Sequence, residues 1–158
     1  MSSQLSITAS FLLLSSSLLS LPTFAESGPL VAEMKVYRVE ASEKAKLLLT
    51  EKDQVKPKQV LEYQVEYQNI SANSLKQVNL SLPIPAYVSF NGNVQPSKDA
   101  YASTDGVNFA KFPLTRIENG KRVNVPFSEY RVLQWKIKEF KPKQKIVVAA
   151  ETQVNATP

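Results

Sequence analysis

Between Leu61 and Gln68 the chain alternates strictly, with Leu61, Tyr63, Val65 and Tyr67 set against Glu62, Gln64, Glu66 and Gln68. Successive side chains of a strand point to opposite faces, so this pattern predicts a strand over 60–68 with one apolar and one polar face. Val78-Asn79-Leu80-Ser81-Leu82 repeats the alternation and stops at Pro83 and Pro85. A third strand is expected over 132–137, where Leu133, the lone Trp135 and Ile137 share one face. Shorter strands are predicted over 34–39, 45–50, 87–90 and 145–154.

Three of the four glycines stand at 92, 106 and 120, each after Asn or Asp. Asn-Gly and Asp-Gly favour the positive backbone angles of a type I′ hairpin turn. They predict one hairpin from 101–104 with 107–111, another from 114–118 with 121–125, and a turn at Asn91-Gly92. Lys56-Pro57-Lys58-Gln59 and Lys141-Pro142-Lys143-Gln144 each precede an expected strand, and read as one turn solution used twice rather than as a tandem repeat. No segment after residue 25 holds a helical period. Short strands punctuated by turns predict an all-β chain, a β-sandwich in one domain over 26–158.

Residues 1–25 carry no charged side chain, and the apolar run 11–21 is followed by Pro22 and by Thr23-Phe24-Ala25. This predicts a signal peptide removed after Ala25. The run is too short and too serine-rich for a retained membrane span, which needs about 20 apolar residues. An exported chain with no Cys points to a bacterial periplasm or cell surface, since small secreted eukaryotic domains more often carry disulfides. In that setting the sequons at Asn69, Asn79 and Asn155 are coincidental. The absence of His and Cys removes the common nucleophilic triads and zinc sites. No enzyme, cofactor or metal is expected.

The order Val55-Lys56-Pro57-Lys58-Gln59-Val60-Leu61-Glu62-Tyr63-Gln64-Val65-Glu66-Tyr67-Gln68-Asn69, followed by the strand that ends Leu82-Pro83-Ile84-Pro85, resembles a bacterial repeat domain, the domain of unknown function 11. Ser103–Ala110, Val125–Trp135 and Phe140–Gln144 are similar to that family's closing part, so the resemblance spans about residues 50–154. The chain departs from the family at Lys58 and Lys143, where glycine usually follows the proline. The resemblance implies an exported, immunoglobulin-like sandwich, often found in several copies in large surface proteins. Here one copy is expected, with no anchor after Val154. The family brings no catalytic residues.

Charge is uneven. Residues 26–110 hold nine positive and ten negative side chains, whereas 111–145 hold ten positive and three negative. Lys136, Lys138, Lys141, Lys143 and Lys145 fall within ten residues, a candidate surface for an anionic envelope polymer; the alternative is a solvated strand face whose lysines discourage edge pairing. Phe127, Tyr130 and Arg131 form a candidate partner-binding loop, or else a cover for an open end of the sandwich. Tyr63, Tyr67 and Trp135 lie in the apolar phase and are expected in the core. Glu62 and Glu66 share a polar face about 13 Å apart, too far for paired-carboxylate glycoside chemistry of the retaining kind. Asp99, Asp105 and Asn108 are oxygen donors near a turn, without the spacing of a calcium loop.

The expected function is therefore a non-enzymatic exported envelope protein, a binding or structural module acting through its sandwich surface, with an envelope protein or anionic polymer as its partner. A periplasmic accessory or chaperone-like protein acting by strand pairing is the alternative. Nucleic acid and a stable membrane span are not expected.

Overall fold

The computed structural model describes residues 28–40 and 45–156; the expected signal peptide lies outside them. The alternating segments form β1 (Leu30–Val39), β2 (Lys46–Leu48), β3 (Val60–Asn69), β4 (Leu75–Pro83), β5 (Val88–Gln95), β6 (Tyr101–Ser103), β7 (Ala110–Lys111), β8 (Thr115–Glu118), β9 (Lys121–Asn124), β10 (Val132–Phe140) and β11 (Lys145–Val154). Every expected strand is present. β1, β4, β5 and β10 run further than the alternation indicated, because ladder bonds continue where apolar periodicity fades.

One sheet has the order β2-β1-β3-β11-β5 and the other β4-β10-β6-β7, with β8-β9 as a separate hairpin. All pairings are antiparallel. The chain changes sheets after β3, β4, β5 and β10, and the β3–β11 pair lies against the β4–β10 pair. The fold is an all-β sandwich.

Its core takes Leu61, Tyr63 and Val65 from β3, Leu80 and Leu82 from β4, Leu133, Trp135 and Phe140 from β10, and Val148 and Ala150 from β11. The aromatic residues keep their polar ends satisfied, as buried Tyr and Trp require. Tyr67 Oη bridges the two sheets, donating to the Ser81 carbonyl at 2.5 Å and accepting from the Ser81 N–H at 3.2 Å. Trp135 Nε1 donates to the Ser97 carbonyl at 3.2 Å.

The first and last crossings, after β3 and after β10, meet at Asn69, which is fully buried. Its side-chain amide donates to the carbonyls of Asn73 and Phe140, while its side-chain oxygen accepts from the Ser71 N–H and hydroxyl. Its main chain closes the returning turn through Lys143 N–H to Asn69 C=O at 2.8 Å and Asn69 N–H to Gln144 C=O at 3.1 Å. A side chain so enclosed is a structural lock, not a surface sequon.

The paired Lys-Pro-Lys-Gln segments are the same turn. In each, the Gln side chain accepts from the first Lys N–H, at 2.7 Å in one and 2.8 Å in the other. Lys58 and Lys143 take φ of 67° and 60°, the left-handed region that favours glycine. Each turn docks on the far end of the other's strand, Lys58 N–H bonding the Val154 carbonyl as Lys143 N–H bonds Asn69.

The Asn/Asp-Gly expectations divide three ways. Asn119-Gly120 is the two-residue turn between β8 and β9, with φ of 49° and 75°. Asp105-Gly106 lies in a longer loop closing the β6–β7 hairpin. Asn91-Gly92 is not a turn. It lies within β5 as a bulge, where the register against β11 shifts between Ala150 and Thr152, and a Cβ on Gly92 would stand 2.8 Å from the Phe127 ring.

Two stability measurements follow. Asn69→Ala strips partners from the buried Phe140 carbonyl and from Ser71, and is expected to lower the unfolding free energy in urea by about 2–4 kcal/mol. Lys143→Gly relieves the left-handed backbone and is expected to raise it by about 0.5–1 kcal/mol, net of the added chain entropy.

Candidate functional site

β1 is paired on one side along its whole length and on the other only near its end. β3 covers it from Leu30 to Arg38, whereas β2 meets it at Tyr37, Arg38 and Val39 alone. The even-numbered residues turn their backbone groups outward: the Val36 carbonyl accepts from Leu49 N–H at 2.8 Å, and Glu40 N–H donates to Ala45. The odd-numbered residues bond inward, the Pro29 carbonyl accepting from Ile70 N–H. By this alternation Ala32 and Met34 direct N–H and C=O to the outside of the sheet. Among the described residues no strand pairs with that stretch.

A cleft of about 570 Å³ adjoins the same edge. Met34, Val36, Leu48, Leu49, Val55 and Tyr63 supply apolar walls, and Glu33, Lys35, Glu51 and Asp53 make a charged rim in which Lys35 stands 3.2 Å from Glu33. Val31, Met34, Leu47 and Leu48 are each more than 40% exposed, an apolar concentration beside an unpaired edge. The sequence assigned Met34–Val39 to a strand but gave no sign of this edge, because a strand becomes an edge only by what fails to pair with it.

The lysine run is divided by the fold. Lys136 and Lys138 project from the outer face of the β4-β10-β6-β7 sheet, Lys141 and Lys143 occupy the crossing turn, and Lys145 belongs to the other sheet. Lys136 Nζ stands 3.9 Å from the centre of the Tyr101 ring, and Lys145 pairs with Glu66 at 2.6 Å. Lys138, Lys141 and Lys143 remain exposed and have no carboxylate partner among the described residues.

Phe127, Tyr130 and Arg131 cover the end of the sandwich. Tyr130 is fully buried, accepts the Leu114 N–H at 2.7 Å and stacks on Phe90, with ring centres 5.7 Å apart. Phe127 packs on Phe90, Phe112 and Tyr130, and Arg131 donates to the carbonyls of Ser128 and Tyr130. Tyr130 is thus a core residue, since its ring fills the space between β5 and the loop.

The carboxylates are engaged in structure as well. Glu62 is not a solvated face residue: it is 1% exposed, with Lys46 Nζ 2.8 Å from both of its oxygens and Gln64 donating to one of them. Glu151 stands opposite it in the ladder and accepts from Asn91 and Asn93 of the β5 bulge. The two carboxylates converge, and both are occupied in holding neighbouring strands. Asp105 accepts from Ser103, Val107 and Asn108. The Asn108 backbone and side-chain bonds, with those of Val107 and Ser103, hold its carboxyl far below the usual range. Asp99 is joined to Lys111 at 2.8 Å and does not approach Asp105's ring of donors.

Comparison with protein-family models, curated proteins and solved structures returned no match. No helix among the described residues is long and apolar enough to cross a membrane.

The salt-bridged carboxylates of Glu66, Asp99 and Glu139 are held below their usual range by the hydrogen bonds of Lys145, Lys111 and Lys76 respectively, as Asp105 is by its own donors. A lowered folded value contributes stability above the unfolded value and loses it as pH falls through the folded one. The urea midpoint is therefore expected to fall below about pH 4, and Asp105→Asn to flatten that fall. Tyr130→Phe leaves the Leu114 N–H unsatisfied and is expected to cost about 1–3 kcal/mol in the same assay.

Proposed function

We propose that the protein is an exported, non-enzymatic module of a bacterial envelope that binds an extended polypeptide along the open edge of β1. The observation that carries this reading is the unpaired stretch from Leu30 to Lys35 beside an apolar cleft. In strand addition the main-chain bonds supply affinity, and pockets for alternate side chains supply selectivity. Ala32 and Met34 offer the bonds; the cleft receives every second side chain of the incoming segment. Long apolar edges are normally blunted by proline, bulges or repeated lysines, and residues 30–35 carry one lysine and none of the other devices.

The test is cross-linking in intact cells that express the tagged full-length chain, followed by identification of what is attached. Ala32→Pro removes an outward N–H without touching a bond to β3, so it is tolerated at an edge and is expected to abolish capture of a discrete partner. Met34→Lys, which sets a charge at the cleft, is expected to do the same. Replacing Lys138, Lys141 and Lys143 together by Glu is expected to leave capture intact at about 0.15 M salt, where exposed charges are screened beyond roughly 8 Å. Capture that survives Ala32→Pro but is lost on lysine replacement and on adding salt would overturn the edge reading in favour of an anionic polymer.

A further inference from the structure

We infer that the segment taken up by the β1 edge is β1 of a second copy of the chain, in an antiparallel pairing centred on Ala32; this rests on the reading of β1 as an acceptor edge. The unobstructed window is bounded on one side by Leu49, which occupies the Val36 carbonyl, and on the other by Pro29, just before β1 begins. Its outward-bonding residues are Leu30, Ala32 and Met34, with Ala32 in the middle. An antiparallel ladder requires outward-facing residues to meet outward-facing residues, which puts the two-fold axis on a residue. A centre before Ala32 leaves Met34 opposite Gly28, outside β1, and one beyond Met34 runs deeper into β2, so three registers stand.

Centred on Met34, the pairing sets Glu33 against the partner's Lys35, but it drives the partner's β1 into Leu49 and β2. Centred on Glu33, it sets two carboxylates face to face, which is destabilising. Centred on Ala32, it uses the window and nothing beyond it. Ala32 then faces its own copy, Leu30 lies beside Met34 of the partner subunit, and Val31 lies beside Glu33 of the partner subunit. No like charges are opposed.

The same register closes the apolar surface. Leu30, Ala32 and Met34 share the cleft side of β1, opposite Asn69, Tyr67 and Val65 of β3. Across the two-fold axis the stripe runs on through its own copy, covering Met34 and Ala32, which are exposed in the single chain. Pro29, which has no N–H, lies at the inward-bonding phase and costs the contact nothing. The cleft beside Glu33–Lys35 has room for the partner's chain where it leaves the ladder. The contact is self-complementary and closed, as a two-fold interface must be. Its extent is that of one short strand edge, less than permanent dimers bury, so the dimer is expected to dissociate on dilution.

The chain contains no cysteine, so single cysteines report register directly. The full-length chain is expressed with its own leader as wild type and as Ala32→Cys, Glu33→Cys and Met34→Cys, then mildly oxidised and run on a non-reducing gel. Facing residues of a hydrogen-bonded pair stand about 5.5 Å apart at Cα, within disulfide reach; in the Ala32 register the two copies of residue 34 are four positions apart, about 13 Å. Ala32→Cys is expected to form a covalent dimer at least tenfold faster than Met34→Cys. Sedimentation of the cysteine-free protein is expected to show a concentration-dependent dimer that Ala32→Pro, checked for its β-sheet circular dichroism, converts to monomer. Fastest linkage at 33 or 34 overturns the register. A wild type monomeric at 200 µM, with no preferred cross-link, overturns the second copy as occupant. If capture of a different protein in cells then remains sensitive to Ala32→Pro, the edge reading stands; if that capture is insensitive as well, both readings fall.

Discussion

Asn69 is the place on which the two-layer arrangement depends. A sandwich whose strands change sheets must turn the chain out of one layer and into the other without leaving backbone groups dry and unpaired. Here the outgoing turn after β3 and the incoming turn before β11 lie side by side, and one buried side chain serves both. Its amide reaches the end of β10 and the outgoing loop, its oxygen holds Ser71, and its main chain holds Lys143 and Gln144. Burying that many polar groups is tolerable because each has a partner. The β3–β11 pair is fastened again at its other end, where Lys58 and Gln59 bond the main chain of Val154, so the central pair is closed by one turn chemistry at both ends.

With the centre fixed in this way, the edges decide what the molecule offers. β5 is bulged where Asn91, Gly92 and Asn93 pass Glu151, which twists it and re-aims its side chains. β7 is two residues long and followed closely by the β8–β9 hairpin. β4 is an edge of the other sheet, but the Tyr67 hydroxyl takes its Ser81 main chain and Gln77 turns to a φ of 53°. β1 presents outward main-chain groups from Leu30 to Lys35 that no strand among the described residues pairs, with exposed apolar side chains beside them. Strand addition is therefore the reading of function that the edges support, and pairing with a second copy is the form of it that β1's own length and charges favour.

Charged groups contribute to this picture chiefly by fastening strands. Lys145 with Glu66 and Lys76 with Glu139 link neighbouring strands, while Lys46 with Glu62 ties β2 to β3 across β1; all but Glu62 are partly or largely exposed, where such pairs contribute little individually. Glu62 differs because it is buried, and a buried carboxylate without Lys46 would be costly. The lysine run that dominates the sequence loses its unity in three dimensions, since a strand, a turn and a strand of the opposite sheet carry its members in different directions.

The alternation at 60–68, 78–82 and 132–137 by itself determined that these segments are strands and which face of each carries the apolar residues that meet the core, because a period of two separates the two faces. The repeated Lys-Pro-Lys-Gln determined a turn before β3 and before β11, because proline fixes one backbone angle and the glutamine closes the loop locally. Only the tertiary structure decided that Asn91-Gly92 is a bulge, that Glu62 is enclosed and Tyr130 internal, and that Lys145 parts from Lys136. Those outcomes depend on which strand lies next to which, and pairing between residues about 80 positions apart, as in the β3–β11 ladder, leaves no mark on local periodicity. The open edge of β1 is the extreme case: it is defined by a neighbour that stops short, and no residue within 30–35 encodes where β2 ends.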